Sequence, residues 1–300
     1  MTLLNNFKKS CAFGALLISM SLPSLGAAQA VNSEQLNLLL TDPAGFLALA
    51  DPNDQNLVAL IVQATLGATA EQLSALANAA AAGGLTSEQV SALSQGFSQA
   101  VASTTDPAVQ QAIVEAALSS GSVAVVSTMA QSEPPNVVAA AIQRVSSSAL
   151  SPSQEAALAS GIRQAVASSA NNPAVKQAIV NASLASGSQA VVSSVAQVAS
   201  ADELRTAIQV LESASLSDAQ VAALASGIAE AVRLRPNDPS MPSVSDVVTN
   251  SSIPGLSDSF SQESSQTSPT AEETAPPAEE TAESTSSGGS GSTAAQSPIN

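Results

Sequence analysis

LTSEQVSALSQGFSQAVAS, residues 85–103, occurs three times in this chain in related forms. The second copy is LSPSQEAALASGIRQAVAS at 150–168, and the third is LSDAQVAALASGIAEAVRL at 216–234. The copies start 65 and 66 residues apart. A sequence that recurs at a fixed period is typical of repeat proteins, in which each unit buries its apolar face against the next unit. The period therefore indicates the fold before any single motif is considered.

Each copy begins with the signature of a helix N-terminus. A hydroxyl residue is followed three positions later by glutamine, as in Thr86 and Gln89, which predicts a capping box. Behind the cap, large apolar residues recur every four positions and so share one helix face. They are Leu93, Phe97 and Val101 in the first copy, Leu158, Ile162 and Val166 in the second, and Leu224, Ile228 and Val232 in the third.

A second face of the same helix carries small residues, with one glycine in each copy at Gly96, Gly161 and Gly227. Glycine inside a helix costs about 1 kcal/mol relative to alanine. Its position in all three copies predicts that another helix crosses there at close backbone distance, so we predict these glycines to be helix-contact residues. Membrane helices also pair through small residues, but the serines, glutamines and charges of these segments favour close packing inside a soluble array.

The residues between the copies predict further helices. Asp106-Pro107 and Asn172-Pro173 combine a capping side chain with proline at the first helical position, and so start a second helix. A third, valine-rich segment is compatible with a strand, but the alanines and serines around it favour a helix. A fourth helix is predicted at 136–147 and again at 202–212. Its constant distance to the next capped helix predicts that these two form a hairpin.

The predicted fold class is therefore all-α, a helical-repeat array with units of about 65 residues and three to four short helices each. The array spans 31–235, and a disordered acidic tail follows it. Its parts are a degenerate first unit at 31–84, full units at 85–149 and 150–215, and a half unit at 216–235.

Residues 1–30 have the pattern of a secretory signal peptide. Lys8 and Lys9 precede a short apolar core, and cleavage is predicted after Ala30. The core is too short to predict stable membrane insertion. Since Cys11 is the only cysteine, the mature chain is expected to lack disulfides. We therefore expect an exported protein, periplasmic or extracellular.

Residues 236–300 are rich in Ser, Thr, Pro and Glu, and they hold nine acidic residues and no Lys or Arg. Such a composition buries too little apolar surface to offset the entropy of ordering, so the segment is predicted to be disordered. The apolar residues of this segment are either a weak docking segment or, as we expect, incidental; they are Val244, Val247, Val248, Ile253, Leu256 and Phe260.

Composition excludes several function classes. The formal net charge of −16 argues against nucleic-acid binding, which needs a basic surface. The chain has no His, Tyr or Trp, so His-based catalysis, most metal sites and aromatic stacking platforms are absent. Asp51, Asp54 and Asp106 lack the spacing of a calcium loop and are better explained as helix caps. We predict no catalytic residues, no metal site and no cofactor.

Three functions remain. We expect an exported, non-enzymatic structural or interaction protein of the cell envelope or extracellular matrix, which binds a protein partner or itself. The alternative is a binding module that holds a small apolar ligand between alanine-rich helices. The third is an enzyme that relies on carboxylates such as Glu88 or Asp106, or Glu272-Glu273 and Glu279-Glu280 in the tail.

Overall fold

The computed structural model describes residues 33–266. Of these residues 77% are helical and none lies in a strand, so the prediction of an all-α fold is confirmed. The valine-rich third segments are helical as well. The predicted signal peptide, with its cleavage position after Ala30, lies outside the described residues.

Fifteen α-helices follow one another in the described part of the chain. They are α1 (Ser33–Thr41), α2 (Pro43–Leu49), α3 (Gln55–Gly67), α4 (Ala70–Asn78), α5 (Ser87–Ser103), α6 (Pro107–Leu118), α7 (Val123–Ser132), α8 (Pro135–Ser146), α9 (Pro152–Ser168), α10 (Pro173–Leu184), α11 (Gln189–Ala196), α12 (Ala201–Glu212), α13 (Asp218–Leu234), α14 (Met241–Thr249) and α15 (Leu256–Gln266). Short 3-10 turns, Ala79–Ala81 and Ser169–Asn171, follow α4 and α9.

Side-chain caps set many of the helix starts. The three predicted capping boxes are present at the N-termini of α5, α9 and α13, each of which is 17 residues long. Asp106 and Asn172 cap α6 and α10, each with proline in the first turn, as predicted. Two further boxes, Thr69 with Gln72 and Ser200 with Glu203, follow the same spacing and were not predicted.

The helices pack in two rows, each of which takes every second helix of the chain. In the odd row, α3 packs on α5, α5 on α7, and the pattern continues to α15. In the even row, α4 packs on α6, α6 on α8, and so on to α14. The predicted hairpin between the fourth helix and the next capped helix is wrong, because α8 packs mainly on α6 and α10 rather than on α9. The constant sequence distance between these two helices therefore follows from the repeat length and does not indicate a contact between them.

One continuous apolar core runs through both rows, from Leu39 in α1 to Phe260 in α15. The large residues predicted for the capped helices lie in it: Leu93, Phe97, Leu158, Ile162, Leu224 and Ile228 are fully buried. Alanine and valine supply much of the remaining core, which lets neighbouring helices approach closely.

The prediction that the disordered tail begins at residue 236 is wrong. Residues 241–249 and 256–266 form α14 and α15, which pack on α12 and α13. Met241, Val244 and Val248 follow helical spacing and are buried, as are Leu256 and Phe260. These apolar residues are thus core, and serine-rich composition hid their periodicity. Residues 267–300 lie outside the described part of the chain.

The segment between α13 and α14 is a structured turn instead of a domain boundary. The guanidinium of Arg235 donates to the carbonyl oxygens of Ala196 and Ala199 at 2.8 and 2.9 Å, and it pairs with Asp238. Bonds from Ser240, assisted by Arg235, lower the pKa of Asp238 to about 2. Arg235 therefore holds this turn against the C-terminal end of α11.

Candidate functional site

The three predicted helix-contact glycines lie at crossings within the odd row. Gly96 in α5 faces Ile61 in α3, Gly161 in α9 faces Val126 in α7, and Gly227 in α13 faces Val192 in α11. These residues therefore mark three junctions between neighbouring helices, each spaced by the sequence period.

No side chain fits at these junctions. A Cβ added to Gly96 would lie 2.3 Å from Cγ2 of Ile61, and one added to Gly161 would lie 2.5 Å from Cβ of Val126. At Gly161 the carbonyl oxygen of Val123 is also only 2.9 Å away. Such distances are well inside van der Waals contact, so any substitution must displace the neighbouring helix.

The glutamine of each capping box makes a second bond that links the two rows. Its Oε1 accepts from the N–H of the cap residue, while its Nε2 donates to a carbonyl at the end of an even-row helix. Gln154 reaches the Ser119 oxygen after α6 at 2.7 Å, and Gln220 reaches the Ala185 oxygen after α10 at 2.6 Å. Gln89 reaches the Ala50 oxygen after α2 at 2.9 Å. Each junction thus has an inter-row bond beside its glycine contact.

Glutamine suits this position because its amide both accepts and donates. Glutamate completes a capping box equally well, as Glu203 does in α12, but its carboxylate has no proton to give the carbonyl. The turns that pass beneath Gln154 and Gln220 contain Gly121 and Gly187 at φ +72° and +78°, a conformation that favours glycine. The second bond of these glutamines was not predicted, and its sequence signal is Gln, rather than Glu, in the capping boxes of α5, α9 and α13.

A groove of about 650 Å³ lies where α8, the turn before α11 and the N-terminus of α13 meet. Polar and apolar groups share its lining, which includes Gln143, Arg144 and Ser217 beside Ala140 and Ala219. It is open, and it does not offer the enclosed apolar walls that a small apolar ligand needs.

Glu133, at the end of α7, is a buried carboxyl with only 5% of its surface exposed. The Ser132 hydroxyl donates to it at 3.2 Å, and that hydroxyl lies 2.8 Å from the hydroxyl of Ser98 in α5. Burial raises the pKa of Glu133 above its ordinary value, although the two serines oppose the shift. No Lys or Arg in the described residues forms an ion pair with it.

Ion pairs join helices within the even row. Lys176 in α10 lies 2.8 Å from Glu203 in α12, and Arg144 in α8 lies 3.1 Å from Glu115 in α6. Burial opposes ionisation of Glu203, but the bonds from Lys176 and Ser200 outweigh it and lower the pKa of Glu203. These charges contribute to helix packing.

The carboxylates considered as catalytic residues or metal ligands lie apart from one another. Asp54 and Asp106 accept the N–H groups at the starts of α3 and α6, and Asp51 accepts from Asn53 at 2.9 Å in a turn. Glu88 is exposed in the first turn of α5. Across 33–266 no three His, Cys, Asp or Glu residues come close enough to hold a metal ion. The tail glutamates Glu272-Glu273 and Glu279-Glu280 lie outside the described residues.

None of the helices between residues 33 and 266 combines the length and the apolar character that crossing a bilayer requires.

Comparisons with protein-family models, with curated proteins and with solved structures find no match to this chain.

Proposed function

We propose that this protein is an exported, non-enzymatic scaffold that acts through protein–protein contacts in the cell envelope or extracellular matrix. In this proposal the body is a helical-repeat array with units of about 65 residues, and the acidic segment after α15 is its tail. The formal charge of −16 over the whole sequence favours solubility and disfavours nucleic-acid and anionic membrane partners.

The observation that carries the proposal is the recurrence of one junction at the sequence period. Gly96, Gly161 and Gly227 contact the preceding odd-row helix, and the glutamine of each capping box bonds to the even row. Stacking of equivalent junctions is how repeat proteins build extended surfaces for partners. The packing of helices in the array thus explains why the glycines and the capping-box glutamines recur.

The geometry gives little support to the other two functions. An enzyme would need a nucleophile or an acid–base pair held together, whereas Asp54 and Asp106 are separate helix caps. A carrier of apolar ligands would need an enclosed apolar cavity, whereas the groove beside α8 and α13 is open and has a mixed polar and apolar lining.

Fractionation of the native host tests the export half of this proposal. Mass spectrometry of the purified chain is expected to find Val31 at its N-terminus, in the periplasmic or extracellular fraction. A cytosolic chain that retains residues 1–30 would contradict export.

Light scattering of the native material tests the scaffold half. A stable complex heavier than the 29.6 kDa of one uncleaved chain is expected before purification. A monomer under all native conditions would contradict a scaffold role, and a lipid bound at fixed stoichiometry would revive the ligand-binding alternative.

A further inference from the structure

The helices at the N-terminal end of the array expose apolar side chains. Leu38 in α1 is 49% exposed, Leu49 in α2 is 91% exposed and Leu66 in α3 is 41% exposed. Helix α1 packs on both α2 and α3, so the three leucines lie on one group of contacting helices. The other large apolar side chains with comparable exposure, Val123, Val210 and Leu234, lie singly on α7, α12 and α13. We call Leu38, Leu49 and Leu66 the leucine end.

The same helices carry negative charge alone. Every acidic residue from α1 through α4 is exposed, and no Lys or Arg occurs between residues 10 and 143. These acidic residues are Glu34, Asp42, Asp51, Asp54 and Glu71. Asp42 and Asp54 are fixed in place because they cap α2 and α3. The leucine end is therefore apolar and acidic.

The opposite end of the body is different. Helix α15 buries Leu256 and Phe260 against the core and exposes Asp258, Ser261 and Gln262. It closes its end of the odd row with a polar surface, as terminal units of repeat proteins do. The leucine end lacks such a cover among the described residues.

The Lys and Arg residues of the described part of the chain lie far along the sequence from the leucine end. The six Lys and Arg residues of the body all lie between 144 and 235, and five of them form ion pairs: Arg144, Lys176, Arg205, Arg233 and Arg235. A second copy of the chain would bring the same acidic end and a further net charge of −16. Self-association at this end is thus opposed by repulsion.

We infer that the leucine end docks a cationic amphipathic segment of a separate protein, an inference that rests on the proposed scaffold function and names its partner class. The apolar face of that segment covers Leu38, Leu49 and Leu66, while its Lys or Arg residues approach Asp51 and Asp54. Burial of a leucine strengthens binding by about tenfold or more. The charges contribute mainly to the association rate and to salt dependence.

A synthetic amphipathic helix of leucine and lysine is the probe, titrated calorimetrically into the chain that starts at Val31. Leu49→Ser with Leu66→Ser is expected to weaken binding by at least about tenfold. Asp51→Asn with Asp54→Asn keeps the turn and the α3 cap, since asparagine accepts the same bonds. It is expected to weaken binding about threefold or more and to flatten the salt dependence.

Matched controls separate docking from general attraction to an acidic protein. Val123→Ser with Val210→Ser removes comparable exposed apolar groups elsewhere, and Asp246→Asn with Asp258→Asn removes two exposed charges at the other end. Both are expected to leave binding unchanged. Circular dichroism of each variant confirms that it is folded.

Four outcomes would overturn the inference. The first is unchanged binding by the Leu49→Ser, Leu66→Ser variant, and the second is equal binding of a leucine–glutamate peptide. The third is loss of binding in the chain that starts at Met1, which would assign the site to the chain's own N-terminal segment. The fourth is a dimer of the parent chain that the leucine variant abolishes. The peptide results leave the cellular location and the native mass that test the scaffold proposal unchanged, whereas a parent dimer would meet the mass test and still overturn this inference.

Discussion

Residues 85–149 and 150–215 fold into the same order of four helices, yet they differ in charge at the end of the third helix. Both copies keep the glycine contact and the inter-row glutamine bond. The α7 end of the first copy has the buried Glu133, whereas the equivalent position of the second is Ala199, whose carbonyl accepts from Arg235. The comparison indicates that small residues and caps define the junction, while the charges around it are free to vary.

The largest expected effect comes from filling a glycine contact. Gly161→Ala places a Cβ against Val126 and the Val123 carbonyl, so we expect a loss of about 2 to 3 kcal/mol in the free energy of unfolding. Gly96→Ala should cost less, because the nearest backbone atom is 3.7 Å away and the added Cβ collides only with the side chain of Ile61. Urea unfolding measures both.

Gly67→Ala is the matched control for the glycine contacts. Gly67 ends α3 and has no atom within 4 Å of an added Cβ. Alanine there is expected to be neutral or to stabilise by up to about 1 kcal/mol through helix propensity. If Gly161→Ala behaved like Gly67→Ala, the close crossing of α7 and α9 would be wrong.

The second effect concerns the inter-row bond. Gln154→Glu keeps the capping box, but it removes the donor to the Ser119 carbonyl and places a carboxylate there. We expect a loss of about 1 to 3 kcal/mol at pH 7, measured by urea unfolding. Gln72→Glu is the control, because Gln72 contributes to the box of α4 through Oε1.

The control is expected to change stability by less than about 0.5 kcal/mol. Equal effects of Gln154→Glu and Gln72→Glu would mean that the second bond contributes nothing to stability.

The third effect comes from the ion pairs of the even row. Lys176→Met leaves the carboxylate of Glu203, 22% exposed, without its cation, and should cost about 1 kcal/mol. Arg144→Met removes a cation that is 68% exposed and should cost less than about 0.5 kcal/mol. The difference is checked by thermal unfolding at two salt concentrations. If the two variants lost the same stability, the less exposed pair would contribute no more than the exposed one.

The smallest effect is a pH dependence specific to the first copy. Burial raises the pKa of Glu133 in the folded state above its unfolded value, which is near 4.5. The contribution of Glu133 to stability is therefore full below the unfolded pKa and is lost as pH rises through the folded pKa. Glu133→Gln should therefore melt higher than the parent at pH 7, with a gap that narrows toward pH 4.

Glu88→Gln serves as the comparison of opposite sign. Hydrogen bonding at its own backbone N–H, with bonds from Thr86 and Ser87, lowers the pKa of Glu88. The contribution of Glu88 to stability is present above its unfolded pKa and is lost as pH falls through the folded pKa. A Glu133→Gln melting curve that tracks the parent at every pH would refute the buried-charge account.

Local features of this fold could be predicted from sequence because they rest on short-range chemistry. The capping box at Thr86 and the Pro107 helix start follow from adjacent residues alone. The recurring glycine at Gly161 predicted a close helix contact, but its partner, Val126, could be identified only from the tertiary structure. The hairpin prediction was wrong because a constant spacing is equally compatible with neighbouring and alternate packing.

The end of the body was misplaced for a different reason. These helices lie in a segment, 236–300, that is rich in Ser, Thr, Pro and Glu, so average composition predicted disorder, although Val244, Val248 and Phe260 are buried. Short helices of this kind are stabilised by the surface that they cover, here α12 and α13, and not by intrinsic propensity. Average composition cannot report such packing.

The packing of alternate helices into two rows defines this fold, and a disulfide between α5 and α7 tests that packing. The hydroxyls of Ser98 and Ser132 lie 2.8 Å apart, and the chain from Val31 onward has no cysteine of its own. Ser98→Cys with Ser132→Cys is therefore expected to form an intramolecular disulfide quantitatively under mild oxidation, as seen by mass spectrometry. Free thiols, or only intermolecular dimers as in each single variant, would contradict the two-row arrangement.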